Sequence, residues 1–177
     1  MLTRNLPMTA NYPWTGPGPY CQRGYNPDNM KNLTTMNNYK DFSVALESPD
    51  PIHNTNGFPG PHGAIHLALW GDMRTDGTNN SSPNDPLFYM HHSNVDRIWA
   101  SWQNLDESHL YDFEGNTEFY WETGMRSGIP ATLEDPLLYG ELKALDSEGL
   151  KIKHVMDTTE WPLCYTYEDL EPWKLDQ

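Results

Sequence analysis

Between Asp85 and Gln103 the apolar and aromatic positions fall on one helical face. Phe88, His92, Val95, Trp99 and Trp102 recur at steps of four, three, four and three, the spacing of a helix with one buried stripe. Asp85 is a good N-cap, and Pro86 suits the first helical position, where a missing N–H costs nothing. The spacing predicts a helix over 86–104. His92 stands on the stripe, where an apolar residue is expected, whereas His91 is rotated about 100° away from it. Upstream, His62 and His66 lie at i and i+4 in a predicted short helix over 62–70 that Gly71 ends. One helical turn separates such a pair, so both rings share a face.

The rest of the chain is poorer in pattern. Residues 1–30 read as coil rich in Pro, Gly and Asn, most irregular from Pro13 to Pro19. A helix is predicted over 34–47 around Met36, Tyr39, Phe42 and Leu46, followed by a turn-rich loop to Pro61. Residues 72–84 read as a polar loop. Beyond the long helix come an aromatic loop (Tyr111, Phe113, Phe119, Tyr120, Trp121), a short helix near 135–145, and brief strands within 150–168. Internal repeats and an interdomain linker are absent from the sequence, and 177 residues suit one domain.

Composition narrows the function classes. Eleven basic against 25 acidic residues give a net charge of −14, a poor surface for nucleic acid or an anionic membrane. No run of 18 apolar residues exists to span a bilayer. The hydrophobic fraction is 37%, with 15 prolines and 13 glycines, as expected of a loop-rich protein with few long elements. The sequons at Asn32, Asn79 and Asn80 in loop-like contexts are compatible with a secretory route. Cys21 and Cys164 have the chemistry to pair there, but two cysteines do not establish a disulfide.

Of the seven histidines, four therefore fall on two helices, and three of them are the chemistry the sequence offers. A single histidine on an apolar face is ordinarily a satisfied core residue. The conjunction of His62, His66 and His92 instead fits an all-nitrogen metal site, with His92 the ligand and His91 beside it. Gly63 follows His62, which excludes the H-E-x-x-H chemistry of zinc proteases. Asn94, Asp96 and Arg97 lie elsewhere on the helix, placed to orient neighbours or pair ionically. His109 and His154 sit in polar stretches and read as surface or loop residues.

Asp85-Pro86-Leu87-Phe88-Tyr89-Met90-His91-His92-Ser93-Asn94-Val95-Asp96-Arg97-Ile98-Trp99 resembles the second copper-binding signature of the superfamily of tyrosinases, catechol oxidases and molluscan haemocyanins. Residues 60–103 carry the close part of the likeness, and its texture is most like ascomycete fungal tyrosinase-like proteins. The resemblance makes His92 the copper ligand and Asp96 the aspartate that follows it. His62 and His66 match the preceding His-x3-His and complete one copper triad, CuB. Phe88 corresponds to a residue that stacks on a copper-bound imidazole. Val155-Met156-Asp157 and Leu163-Cys164-Tyr165-Thr166-Tyr167 resemble the end of the catalytic domain, with its Tyr-x-Tyr motif.

The resemblance implies a mainly α fold: the C-terminal half of a helical bundle binding two coppers, loop-rich, with few short strands. Residues 1–177 then form a partial domain with the CuB half present. The CuA half would lie upstream of Met1 or on another chain. His53 stands nine residues before His62, but Asn54 to Pro61 is turn-forming and unsuited to the CuA helix. The implied reaction is oxidation of o-diphenols, o-aminophenols or monophenols to o-quinones by O2. Each copper contributes one electron, so a single copper cannot supply both. The motifs are shared with haemocyanin, an oxygen carrier, and a copper-binding remnant without catalysis is the third reading. In many phenol-hydroxylating relatives an asparagine follows the first CuB histidine and, with a glutamate, holds a water that deprotonates the phenol. Gly63 takes the asparagine's place here, and Glu47 resembles the glutamate. Diphenol oxidation is accordingly expected to exceed monophenol hydroxylation.

Overall fold

A computed structural model of the chain describes residues 27–47, 60–68, 82–115, 119–120, 125–126, 128–137 and 149–170, of which 66–68, 119–120 and 125–126 are described by their backbone alone. Among these the architecture is mainly helical. Helix α1 spans Pro27–Leu33, α2 Tyr39–Glu47, α3 Pro61–Ala68 and α4 Pro86–Gln103. Single 3-10 turns occupy Ser82–Asn84, Glu107–His109 and Ile152–Val155. A two-residue antiparallel ladder pairs β1 (Phe119–Tyr120) with β2 (Met125–Arg126).

Local chemistry explains where the helices start. In α4, Asp85 is extended and its carboxylate accepts from the Leu87 N–H at 3.0 Å, with Pro86 in the first turn. The expected helix over 34–47 begins only at Tyr39, after a turn and bend over 34–38. Thr34 and Thr35 bond their hydroxyls to the Lys31 and Asn32 carbonyls, at 2.7 Å each, closing off the preceding turn. Asn38 then caps α2: its side chain accepts from the Asp41 N–H at 2.8 Å and donates to the Asp41 carboxylate at 2.9 Å. The segment read as coil to residue 30 contains α1, with Pro27 at its start, Asp28 in the first turn and Lys31 in the last. Exposed Asn32 therefore lies in a helix and not in a loop.

The core forms where α1 and α2 meet the second half of α4. Met30, Leu33, Phe42, Leu46, Ile98 and Trp102 are buried together, with Met36, Tyr39, Ala45, Val95 and Trp99 packed against them. Trp102 is sandwiched. Phe42 stacks on one side at 4.6 Å and His109 lies parallel to it at 4.0 Å and 6°. The Trp102 indole N–H donates to the Met36 carbonyl at 2.9 Å, so the ring is satisfied at its polar edge. The Gln103 amide donates to the Leu110 and Met156 carbonyls, both at 2.9 Å, tying the end of α4 to the last described segment.

Three sequence expectations are corrected here. His109 is 8% exposed; a 3-10 turn capped by Asp106 folds it back onto Trp102, so its polar neighbours face solvent while the ring does not. Residues 135–137 do not begin a helix. The Leu137 N–H donates to the Leu150 carbonyl at 3.0 Å and the Ile152 N–H to the Asp135 carbonyl at 3.0 Å, which draws this strip across to Lys151 as a bridge. Within 150–168 that bridge replaces the expected strands, followed by a 3-10 turn in which the Lys151 N–H donates to His154 Nδ1 at 3.0 Å. The remainder of the 135–145 expectation lies outside the described residues, as do His53 and Cys21. Cys164 is exposed.

Candidate metal centre

The site is assembled by a close approach of backbones. Gly60 precedes α3, and its carbonyl accepts from the Ala64 N–H at 2.9 Å. A Cβ at Gly60 would stand 2.3 Å from the Ala45 carbonyl oxygen and 2.5 Å from that of Leu46. Only glycine lets the start of α3 seat on the last turn of α2. That contact brings Glu47, at the end of α2, beside His62 in the first turn of α3.

Each of two histidines is then anchored through Nδ1. His62 Nδ1 lies 2.7 Å from the Glu47 carboxylate, and His92 Nδ1 lies 2.8 Å from the Phe88 carbonyl. A carboxylate and a carbonyl only accept, so each Nδ1 carries a proton, and with both rings neutral both Nε2 atoms keep a lone pair. The two Nε2 atoms face each other at 3.2 Å. Two neutral acceptors so aligned repel unless a shared proton or a metal ion stands between them. Two nitrogens bound tetrahedrally to one ion at about 2.0 Å sit about 3.3 Å apart, so the pair fits a metal such as copper, for which imidazole is well suited.

The neighbouring groups hold this arrangement. The Phe88 ring lies against His92 at 4.0 Å and 31°. His91 Nε2 donates to the His62 carbonyl at 3.0 Å, and its ring stacks over His62 at 5.4 Å and 15°. Burial pushes His91 down to about 4, against the opposing pull of that carbonyl, so it is neutral at pH 7. The buried stripe is thus rotated from the one read in sequence: His91 is 8% exposed, whereas His92 is half-buried. The reason is that α3 covers the His91 side of α4, while α1 and α2 cover Ile98 and Trp102. His66 falls in α3, one turn beyond His62, and its side chain is outside those described. Gly63 follows His62 in the same turn and brings no amide to the site. Among the described residues no cluster of three His, Cys, Asp or Glu side chains closes on one point.

The other polar residues of α4 face a different partner. Asp96 accepts from the Tyr165 hydroxyl at 2.6 Å and the Tyr167 hydroxyl at 2.5 Å. Arg97 donates to Asn94 Oδ1 at 3.1 and 3.0 Å and pairs with Asp169 at 3.0 Å. Burial and the adjacent Asp96 carboxylate push Tyr165 up to about 12 and raise Tyr167 further. The Tyr-x-Tyr segment is therefore a clasp on the face of α4 one turn below the histidines. A carboxylate four residues after His92, with two tyrosines spaced to reach it, was the signal in the sequence for this bond.

Two anchored imidazoles on a helix pair, with a histidine one turn further along the first helix, make this seam the candidate metal centre of the chain. Residues 9–105 match the common central domain of tyrosinase, and the chain belongs to the tyrosinase family of copper oxidoreductases. It is 38% identical over 160 residues to the tyrosinase-like protein phomQ1 of Diaporthe leptostromiformis, covering 85% of this chain and 39% of that protein. It is 32% identical over 145 residues to tyrosinase P of Aspergillus terreus, covering 76% and 38%. A shorter stretch of 59 residues is 48% identical to the tyrosinase-like protein orsC of Emericella nidulans, 33% of this chain and 15% of that one. The chain thus spans about two fifths of the length of the first two relatives. No solved structure matches it. Among the described residues no helix is long and apolar enough to cross a membrane.

Proposed function

We propose that this chain carries the CuB half of a type-3 copper oxidase that converts o-diphenols to o-quinones, with His62, His66 and His92 as the copper ligands. The observation that carries the reading is the facing pair of Nε2 acceptors, 3.2 Å apart and each anchored behind. Copper, when bound, supplies one-electron exchange with O2. The protein's part is to hold neutral imidazoles with their lone pairs inward. Phe88 packs on one ligand ring, and His91 pins α4 to the first turn of α3. Two diphenols are oxidised for each O2 reduced to two waters, and a second copper sharing those electrons would need a further histidine set. His109 and His154 are already engaged, one in the core and one in a turn.

Gly63 offers no hydrogen bond toward a phenol-activating water, which supports diphenols over monophenols as substrates. The test is copper quantification on the purified, copper-supplemented protein, alone and with the segment that supplies the second set, followed by oxygen uptake with catechol. Stoichiometric copper with catechol-dependent oxygen consumption supports the reading. Protein that retains no copper overturns it. Copper with reversible O2 binding and no quinone indicates a haemocyanin-like carrier, and copper with neither indicates a remnant. Tyrosine hydroxylated as fast as catechol is oxidised would overturn the substrate preference.

A further inference from the structure

We infer that Glu47 is a positioning residue that acts through His62, holding its ring with Nε2 turned toward the metal, and does not act on the phenol. This rests on the copper reading for its purpose, but the tautomer it fixes is a property of the metal-free protein. The resemblance gave Glu47 a different task, holding a water together with an asparagine. In the structure the Glu47 carboxylate is 2.7 Å from His62 Nδ1, and the residue after His62 is Gly63.

The physical argument has three parts. A neutral imidazole free of restraint exists as two tautomers, of which only the Nδ1–H form leaves Nε2 able to bind a metal. His92 has its tautomer set by a backbone carbonyl, which any sequence provides at that helical position. His62 is in the first turn of α3, so no carbonyl of that helix lies four residues back, and a side chain does this work. Glu47 does it with an ionised acceptor, a stronger bond than a carbonyl makes, and places a carboxylate behind the ligand, the arrangement that raises ligand basicity in carboxylate–histidine–metal sites. The pair depends on Gly60, which lets α2 and α3 approach closely enough for it to form.

The test uses three versions of the whole chain: the parent, Glu47→Ala and Glu47→Gln. Long-range proton–nitrogen NMR of the metal-free protein reads the His62 tautomer directly. The parent is expected to show Nδ1–H, Glu47→Ala a mixture, and Glu47→Gln the Nδ1–H form restored, since the amide oxygen still accepts. Copper competition against a coloured chelator is expected to show a loss of 10–100-fold for Glu47→Ala and only a few-fold for Glu47→Gln. Glu47 is exposed at the end of its helix, and the Gln variant preserves its shape. A parent His62 protonated at Nε2, or a Glu47→Ala protein with unchanged tautomer, overturns the inference whether or not copper binds. A parent with the expected tautomer and no copper affinity overturns the function and leaves the positioning role standing. If Glu47→Ala keeps the tautomer and affinity of the parent but loses turnover of monophenols alone, Glu47 acts on the phenol after all.

Discussion

His92 and His109 make the same bond. Each donates Nδ1–H to a backbone carbonyl, that of Phe88 at 2.8 Å for His92 and that of Trp102 at 3.0 Å for His109. Their rings then go different ways. His92 aims Nε2 across to α3, while His109 lies flat on Trp102 and completes an aromatic sandwich in the core. An anchored Nδ1 is therefore common to a ligand and to a structural histidine. What separates them is whether the other nitrogen meets a second acceptor. The first half of α4 leaves that conflict in place, whereas the second half stacks His109 on Trp102 and satisfies the Trp102 indole, though the buried Trp99 indole N–H has no partner among the described residues.

The largest effect should come from the packed half. Trp102→Ala removes both stacking faces and the bond to Met36, and a cost of about 3–5 kcal/mol is expected. That is a large share of the 5–15 kcal/mol typical of a domain, read as a fall in the urea midpoint. A loss under about 1 kcal/mol would mean the sandwich is not the core. The paired histidine variants come next. His92→Ala should weaken copper binding by more than about 100-fold, beyond the range for an outer-shell partner, and shift stability by no more than about 0.5 kcal/mol. His109→Ala should do the reverse, costing about 1–3 kcal/mol with copper affinity unchanged. Equal effects on both readouts would erase the distinction between the two halves.

Smaller effects sharpen it. Gly60→Ala drives a Cβ into two carbonyl oxygens and should cost about 1–3 kcal/mol as the helices part, with the His62 tautomer lost at the same time. Tyr165→Phe and Tyr167→Phe should each cost under about 1 kcal/mol while the other still serves Asp96. The double variant should exceed their sum, because Asp96 then loses both donors. The least effect is in alkali. Tyr165 is raised to about 12, so its contribution is complete below its ordinary pKa near 10 and is lost as pH climbs through 12. Tyrosinate absorbance should show Tyr165 and Tyr167 ionising last among the ten tyrosines, and Asp96→Asn should bring them down. Titration of all ten together would dissolve the clasp.

Much of the site was legible in sequence, because its signals were local. Asp85 and Pro86 announced the start of α4, and the pair His62 and His66 at i and i+4, with His92 in the stripe of α4, pointed to a seam between the two helices. The burial phase of α4 was not legible. A helix covered by one neighbour on its first half and by two others on its second shows no single stripe, and Phe88-His92-Val95 averaged over both. Helix α1 was missed because Pro27, Asp28 and Asn29 carry a turn composition, and only Met30 and Leu33 marked an inward face. His109 was misplaced because its sequence neighbours are polar, and what buries it is a turn that folds it back onto Trp102.

The bond partners are separated along the chain by very different distances: 15 residues from Glu47 to His62, 30 from His62 to His92, and 71 from Asp96 to Tyr167. Closing a loop costs more entropy the longer it is, and contacts between distant residues form late. The histidine pair can thus be in place on a growing chain well before the tyrosines leave the ribosome. Capture of a metal ion and locking of the helix that holds it become separate events in time, with the lock last.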